Sequence, residues 1–460
     1  MSRRSLPRRL LNRLEIDRAT FDAMASRYWT FISGPVTYAL IVATLTPAQQ
    51  GYYYTFWSLI ALQSFFEAAM PVAILTTAGR LSAGGDSTDI ITDDPKAGTV
   101  DATSAKLRDL WLRSNVWFVG LNAGFLLLVG VAGYLFFEIN ETASEVAWRR
   151  PWLATVALTA LSFQTLPTAA LLEGVGRVRQ IYRMQLIRAV AGSAAVWATL
   201  ACGGGLWTPA AAVASKAACE VALLTYPHRD WLRRLYRSSG EGSIDWRRDI
   251  WPFQSGMMFK GYFTYLNADV MVPVVFAFGG AAAAGRFGMT YNLLMAVRGG
   301  WASLLRTRMA RLAALVGGGD FAESDRIHRR LQSVATAGLV VTYLLFVVGL
   351  LAAGGLEPRL YRRLLTAGTT VLLCVGTVAS FRVDCQWIYI HAFGRSPYVL
   401  PAIACCLTSG IAIYLGGQIG GADGVASAYA VVQVGLFWPL SSAAFSRTVG
   451  RWRSVDRTAS

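Results

Sequence analysis

Charged side chains stand out inside stretches of this sequence that are otherwise apolar, among them Arg27, Glu67, Glu173, Arg188, Lys216, Glu220, Lys260, Asp269, Arg298, Arg382 and Asp384. Insertion scales put a central Arg, Lys or Asp at about 2.5 to 3.5 kcal/mol in lipid, so several facing hydrocarbon would exceed a stability margin of about 5 to 15 kcal/mol. They must face protein or water. For Glu173, Arg188, Lys216 and Glu220, near span ends or close in sequence, interhelical pairing or snorkelling to an interface accounts for the placement. Arg27, Lys260 and Arg298 fall in the first, seventh and eighth apolar spans, which a six-plus-six arrangement brings to the cleft between its halves. A cavity lined by such groups, with Arg382 as a further cation, accommodates an anion, and a guanidinium grips phosphate oxygens in a fixed, bidentate way. The expected ligand is therefore phosphorylated, held by Arg27, Lys260, Arg298 and Arg382. Glu67, Asp269 and Asp384 would keep the empty cavity near neutrality or carry a coupling proton or sodium ion; for Asp269 and Asp384 a plain ion-pair role stays equally open.

Other chemistry finds little footing. His228, His328 and His391 are far apart in sequence, there is no GxxxxGK[ST] phosphate loop, and no nucleophile motif stands beside a base. Covalent catalysis and ATP hydrolysis are not expected, nor is a cofactor. Asp89, Asp93 and Asp94 resemble half of a magnesium-diphosphate site, but no second acidic cluster faces them, so a solvated loop is the reading and no metal is assigned. Five of the six cysteines lie within apolar stretches and Cys202 ends one, without metal spacing, which reads as small core residues.

The elements that must position these groups follow from composition. The 460 residues are 54% apolar and 15% charged; soluble chains carry roughly 25% charged residues. Apolar stretches of about 20 residues, the length needed to cross about 30 Å of hydrocarbon, recur between polar breaks. We place spans near 21–45, 52–78, 110–137, 152–173, 182–201, 209–227, 251–278, 286–305, 331–354, 364–390, 398–416 and 424–446. The fold class is thus an all-α polytopic integral membrane protein of about 12 transmembrane helices. With both termini cytoplasmic, 29 of the 43 Lys and Arg fall in inside segments and five in outside loops, as the positive-inside rule requires. The weak point is 355–366, an outside loop holding Arg359, Arg362 and Arg363. A net charge of +16 on such a chain faces anionic membrane lipids rather than nucleic acid. No removable signal peptide is marked at the N-terminus.

Residues 1–20 place Leu6, Leu10 and Leu14 on one face among arginines, the pattern of an interfacial helix. Residues 79–109 read as a mobile cytoplasmic loop. The domain reading is a lobe of six helices over 21–227, a basic cytoplasmic linker over 228–250, a second six-helix lobe over 251–446 and a basic cytoplasmic tail over 447–460. Two weak internal matches support a repeat. TPAQQGYYYTF (46–56) pairs with AAAAGRFGMTYN (281–292), matching Gly51 to Gly285, and GVGRVRQIY (174–182) pairs with HAFGRSPY (391–398), matching Gly176-Arg177 to Gly394-Arg395. An even number of spans per repeat implies a pseudo-two-fold axis along the membrane normal.

The strings FISGPVTYALIVATLTPAQQGYYYTFWSLIALQSFFE (31–67), LLEGVGRVRQIYR (171–183), IDWRRDIWPFQ (244–254) and GRFGMTYN (285–292) resemble bacterial polysaccharide-biosynthesis proteins of the O-antigen or exopolysaccharide flippase type. These belong to the multidrug/oligosaccharidyl-lipid/polysaccharide (MOP) exporter superfamily. The resemblance implies twelve to fourteen spans in two lobes and alternating-access movement of an undecaprenyl-diphosphate-linked glycan across the inner membrane, with the central cations binding diphosphate or acidic sugar. It implies a lipid-linked oligosaccharide as partner, and polysaccharide polymerase and export machinery as neighbours. The sequence departs from the pattern after Gln254, where it reads SGMMFK, and at RTRMARLAAL, where a proline is expected. Three other readings compete. A cation-coupled drug exporter of the same superfamily would favour acidic and aromatic walls. A membrane glycosyltransferase or polymerase on the same carrier would need a large outside loop, and none exceeds about 15 residues. A non-transporting assembly partner would use its intramembrane charges only for folding.

Overall fold

A computed structural model describes residues 18–67, 70–83, 99–141, 146–238, 242–251, 265, 269–356, 361–391 and 399–459. The described elements are helical throughout. The chain runs α1 (Arg18–Thr44), α2 (Pro47–Ile60), α3 (Gln63–Glu67), α4 (Met70–Ala83) and α5 (Thr99–Phe125), which passes through a π turn (Leu126–Val131) into α6 (Ala132–Ile139). Then follow α7 (Arg149–Phe163), α8 (Leu166–Gly174), α9 (Val178–Ala201), α10 (Thr208–Thr225), α11 (Arg229–Arg237) and α12 (Trp246–Asp249). The remainder comprises α13 (Met271–Arg306), α14 (Met309–Gly317), α15 (Phe321–Leu356), α16 (Ala367–His391), α17 (Val399–Val432) and, beyond a second π turn (Gln433–Phe437), α18 (Trp438–Ala459).

Among the described residues, eight stretches are long and apolar enough to cross a membrane. Two of them turn at glycines and hold more than one expected span. α13 breaks at Gly280 (φ 79°), and α17 breaks at Gly420 and Gly421 (φ 52° for the latter), a backbone region that glycine enters without Cβ strain. Those breaks fall where the sequence places its turns, near 279–285 and 417–423. With α1 and α10 at the first and sixth expected positions, the architecture is the all-α polytopic membrane protein of about twelve spans read from composition; the seventh is described only in part.

Local chemistry sets the helix starts. Thr46 and Gln49 form a reciprocal cap for α2: Gln49 N–H donates to Thr46 Oγ1 at 3.2 Å and Thr46 N–H to Gln49 Oε1 at 3.0 Å, satisfying two amides that the helix cannot. Proline stands in the first turn of α8 and of α10, where its missing N–H costs nothing. Asp245 caps α12 by accepting from the Arg247 and Arg248 amides at 3.1 and 3.3 Å.

The described chain divides into two compact units. One takes Met1–Leu45 and Ile60–Tyr262, the other Thr46–Leu59 and Phe263–Ser460. The expected contiguous lobe over 21–227 is thus interrupted, because α2 packs into the second unit. The physical reason is a glycine seam. A Cβ on Gly51 would lie 1.8 Å from the Ala281 carbonyl oxygen, and one on Gly285 would lie 2.8 Å from the Gly51 nitrogen. Only hydrogen at these positions lets the two backbones meet. The pair matched as repeat equivalents is therefore a contact pair. Tyr52 meets Phe276 edge-on at 4.9 Å, and the buried Gln50 amide donates to the Gly285 carbonyl at 2.9 Å and to the Arg363 carbonyl at 3.3 Å. That last contact puts the 46–50 turn and Arg363 at the same end, as the twelve-span order requires of the doubtful loop.

The stretch 79–109 is not one loop: α4 runs to Ala83 and α5 starts at Thr99. The tail over 447–460 continues α18 through Ala459. The 1–17 part of the interfacial helix, Asp89, Asp93, Asp94, Gly394 and Arg395 lie outside the described residues.

Candidate functional site

Two buried charge clusters emerge, one inside each unit. In the first, Arg188 on α9 forms an ion pair with Glu220 on α10, and Thr165 Oγ1 donates to the other Glu220 oxygen at 2.8 Å. Glu220 is 7% exposed and Arg188 38%, so the carboxylate is the dry partner. Lys216, one turn before Glu220, lays its stem across Gly192, where a Cβ would come within 2.8 Å of Cε. Glu67 and Lys216 both lie within electrostatic reach of Arg188 and Glu220. Two acids and two bases thus form a formally neutral group in an apolar bundle, the arrangement that makes buried charge tolerable. The Arg188–Glu220 contact is the interhelical pairing expected from sequence, and Glu67 joins it rather than standing apart.

In the second unit, Arg298 on α13 pairs with Asp384 on α16. The guanidinium is 15% exposed and the carboxylate 44%. Arg298 Nη2 also reaches Ser380 Oγ at 3.4 Å, and Nη1 reaches the Met295 sulfur at 3.5 Å. Three phenols, Tyr291, Tyr343 and Tyr429, are buried within its electrostatic reach. Tyr343 donates to the Leu294 carbonyl at 2.8 Å. Tyr429 packs where Gly376 leaves room: a Cβ there would sit 2.6 Å from the ring. Asp269 acts on Tyr265 and Tyr291 from the partly described seventh span. Arg382, two residues before Asp384 and so on another face of α16, stacks its guanidinium over the Trp438 ring at 4.9 Å, a cation–π contact.

Of the expected site residues, the structure brings Arg298 together with Asp384, places Asp269 and Arg382 in the same unit, and puts Glu67 in the other cluster. Arg27 lies on α1, with its side chain outside the described residues, as is all of Lys260. The three tyrosines were missed. Tyr291 was within reach of sequence reasoning, since it precedes Arg298 by seven residues, two helical turns, on one face; Tyr343 and Tyr429 carry no such signal.

At the polar end of the first unit, α11 is strapped down. Trp231 and Leu235 are buried, while Arg177 stacks over Trp231 at 5.5 Å and donates from Nη1 to the buried His228 Nδ1 at 2.6 Å. Burial and the Arg177 charge hold the His228 imidazole below its ordinary value, so it is the neutral ring that accepts. Burial, then Arg234, lower Arg177 in turn. Arg108 donates to the Ser238 carbonyl at 2.9 Å, and Asp109 accepts from the Ile244 amide at 2.9 Å. Arg233 remains 69% exposed.

No protein family and no curated protein matches the sequence. Solved structures do match. The chain is similar to an inward-facing multidrug resistance MATE family transporter of the MOP superfamily, with 11% identity, 91% of this chain and 95% of that one covered, and a TM-score of 0.66. It is similar to the lipid II flippase MurJ in an inward closed conformation, with 11% identity, 92% and 87% covered, and a TM-score of 0.60. It is also similar to a MOP superfamily transporter from Pyrococcus furiosus described by the reverse polarity of its binding pocket, with 10% identity, 93% and 95% covered, and a TM-score of 0.53. At these identities the likeness is one of fold, and the fold of this chain is that of the MOP superfamily transporters.

Proposed function

We propose that the protein is a transporter that moves a polyprenyl-diphosphate-linked oligosaccharide from the cytoplasmic to the periplasmic leaflet of the bacterial inner membrane by alternating access, for cell-surface polysaccharide biosynthesis. The observation that carries this reading is the fold, shared over nine-tenths of the chain with transporters that include a lipid flippase. An anionic substrate is supported by Arg298, a buried guanidinium whose partner Asp384 is half exposed and therefore replaceable by a stronger anion. Arg27, Lys260 and Arg382 are the further substrate-binding cations; Glu67, Asp269 and Asp384 balance charge or carry the coupling ion. Both termini are cytoplasmic in this reading, and the protein acts without chemical catalysis beside the polymerase and export machinery.

In a strain lacking the protein, lipid-linked repeat units accumulate on the cytoplasmic side. Wild type restores export, whereas Arg27→Ala, Lys260→Ala and Arg298→Ala do not, at equal membrane levels. Full rescue by the triple variant would refute the cationic site. A second reading, a cation-coupled drug exporter, is favoured by the MATE likeness and by the equal numbers of acids and bases in the first-unit cluster. It requires uptake of an organic cation by inverted vesicles that carry the protein, with no redistribution of lipid-linked glycan between leaflets.

A further inference from the structure

Arg298 leaves one of its donors unused. Nη2 serves Asp384 and Ser380 and Nη1 contacts Met295, but Nε is buried with no hydrogen-bond partner. Two turns earlier on the same helix face, the Tyr291 hydroxyl is also buried and also without a partner. Helix side chains lean toward the N-terminus, so the Arg298 stem runs back over the turn of Leu294 and Met295, as its contact with the Met295 sulfur shows, and Tyr291 lies within its electrostatic reach. Buried polar groups are nearly always satisfied, and an unmet one costs stability, so two on one face beside an ion pair call for a ligand that meets them.

Resting on the anion-transport reading above, we propose that Tyr291 is a second donor of the Arg298 site. Its hydroxyl and the Arg298 Nε together hold an oxyanion oxygen, drawn either from the diphosphate of the lipid carrier or from the carboxylate of an acidic sugar. Asp384 holds Nη2, the neighbour of Nε along the same edge of the guanidinium, and turns toward water as the oxyanion arrives; its 44% exposure leaves that path open. Tyr343 and Tyr429 wall the site, and Asp269, which acts on the same phenol, sets the sign that an incoming anion has to overcome. Tyr291 is thus a specificity-determining residue whose role appears only when ligand is present.

The test uses the full chain in mild detergent, with thermal midpoints read against farnesyl diphosphate, farnesyl monophosphate and farnesol, and in parallel against octyl glucuronide and octyl glucoside. Wild type is stabilised by the charged member of at least one series and not by its neutral counterpart; the responding series identifies the oxyanion. Tyr291→Phe weakens that binding about tenfold or more, the usual scale for a hydrogen bond to a charged group. The free variant melts at or above wild type, because its hydroxyl had no partner to lose. Equal binding by wild type and Tyr291→Phe overturns this inference and leaves the transport reading standing. A free variant that melts lower overturns it also, since the hydroxyl would then be structural. If wild type does not distinguish charged from neutral probes in either series, the anion-transport reading fails and the role of Tyr291 falls with it.

Discussion

Replacing Gly51 with alanine tests the seam that carries α2 into the second unit. The added Cβ would stand 1.8 Å from the Ala281 carbonyl oxygen, and an ordinary contact begins at 3.4 Å, so the helices must part by roughly 1.6 Å or the backbone must bend. Overpacking of this kind costs about 1 to 3 kcal/mol, against a gain of up to about 1 kcal/mol from the better helix propensity of alanine. Because the obstacle is backbone, the upper end of that cost applies and about 2 kcal/mol net remains; for a body of 150 to 250 residues each kcal/mol moves the midpoint by about 2 to 4 °C, so a loss of roughly 4 to 8 °C is expected in detergent. Gly120→Ala on α5 is the control: nothing lies within 4 Å of its Cβ, and its midpoint should hold or rise. If Gly51→Ala melts with the Gly120 variant, the seam does not hold α2 in place.

Glu220→Gln removes the countercharge of Arg188. Loss of one partner of a fully buried pair costs about 3 to 5 kcal/mol, but with Arg188 38% exposed water takes up part of the charge, and about 1 to 2 kcal/mol is expected. Adding Arg188→Gln should recover part of the loss, and strictly additive effects in the double-mutant cycle would show that the pair is not coupled. The α11 strap should depend on pH. Because folding lowers the His228 value, its contribution is complete above the unfolded value of about 6.5 and declines as pH falls through that point toward the folded value. Hydrogen exchange over 226–238 between pH 8 and 5 reads this directly, and constant protection would contradict it. Arg233→Gln with Arg234→Gln should lower the retention of anionic lipid by the purified protein, each arginine contributing about 1 kcal/mol near a charged surface; unchanged lipid content would remove α11 from the membrane interface.

The fold was legible because its main determinants are local or periodic. Apolar length located the spans, and Gly/Pro clusters located the breaks at Gly280 and Gly420–Gly421, even where the helix runs on without another sign. That Arg188 and Glu220 belong to a group needing partners or an interface was readable from the cost of bare charge in lipid; which residue pairs with which was not. The affiliation of α2 was not readable. Contiguity assigns it to the first six spans, and only the facing backbones of Gly51, Ala281 and Gly285 reveal otherwise. Glu67 likewise gave no hint of Arg188, because no periodicity links residues on helices so far apart in sequence. Tyr291 escaped because tyrosine in an apolar span is ordinary core material until its hydroxyl is seen to lack a partner, and Tyr343 and Tyr429 escaped because no spacing links them to Arg298.

The seam between Gly51 and Ala281 also governs the order in which the protein can be completed. A ribosome adding about 5 to 20 residues each second delivers α2 to the bilayer roughly 10 to 50 s before its docking surface on α13 exists. During that interval its tyrosine-rich helix, with the small face meant for another backbone, is exposed to lipid or to provisional neighbours. A fragment ending near 250 should therefore be vulnerable to membrane quality control, and supplying 251–460 as a separate chain should rescue it.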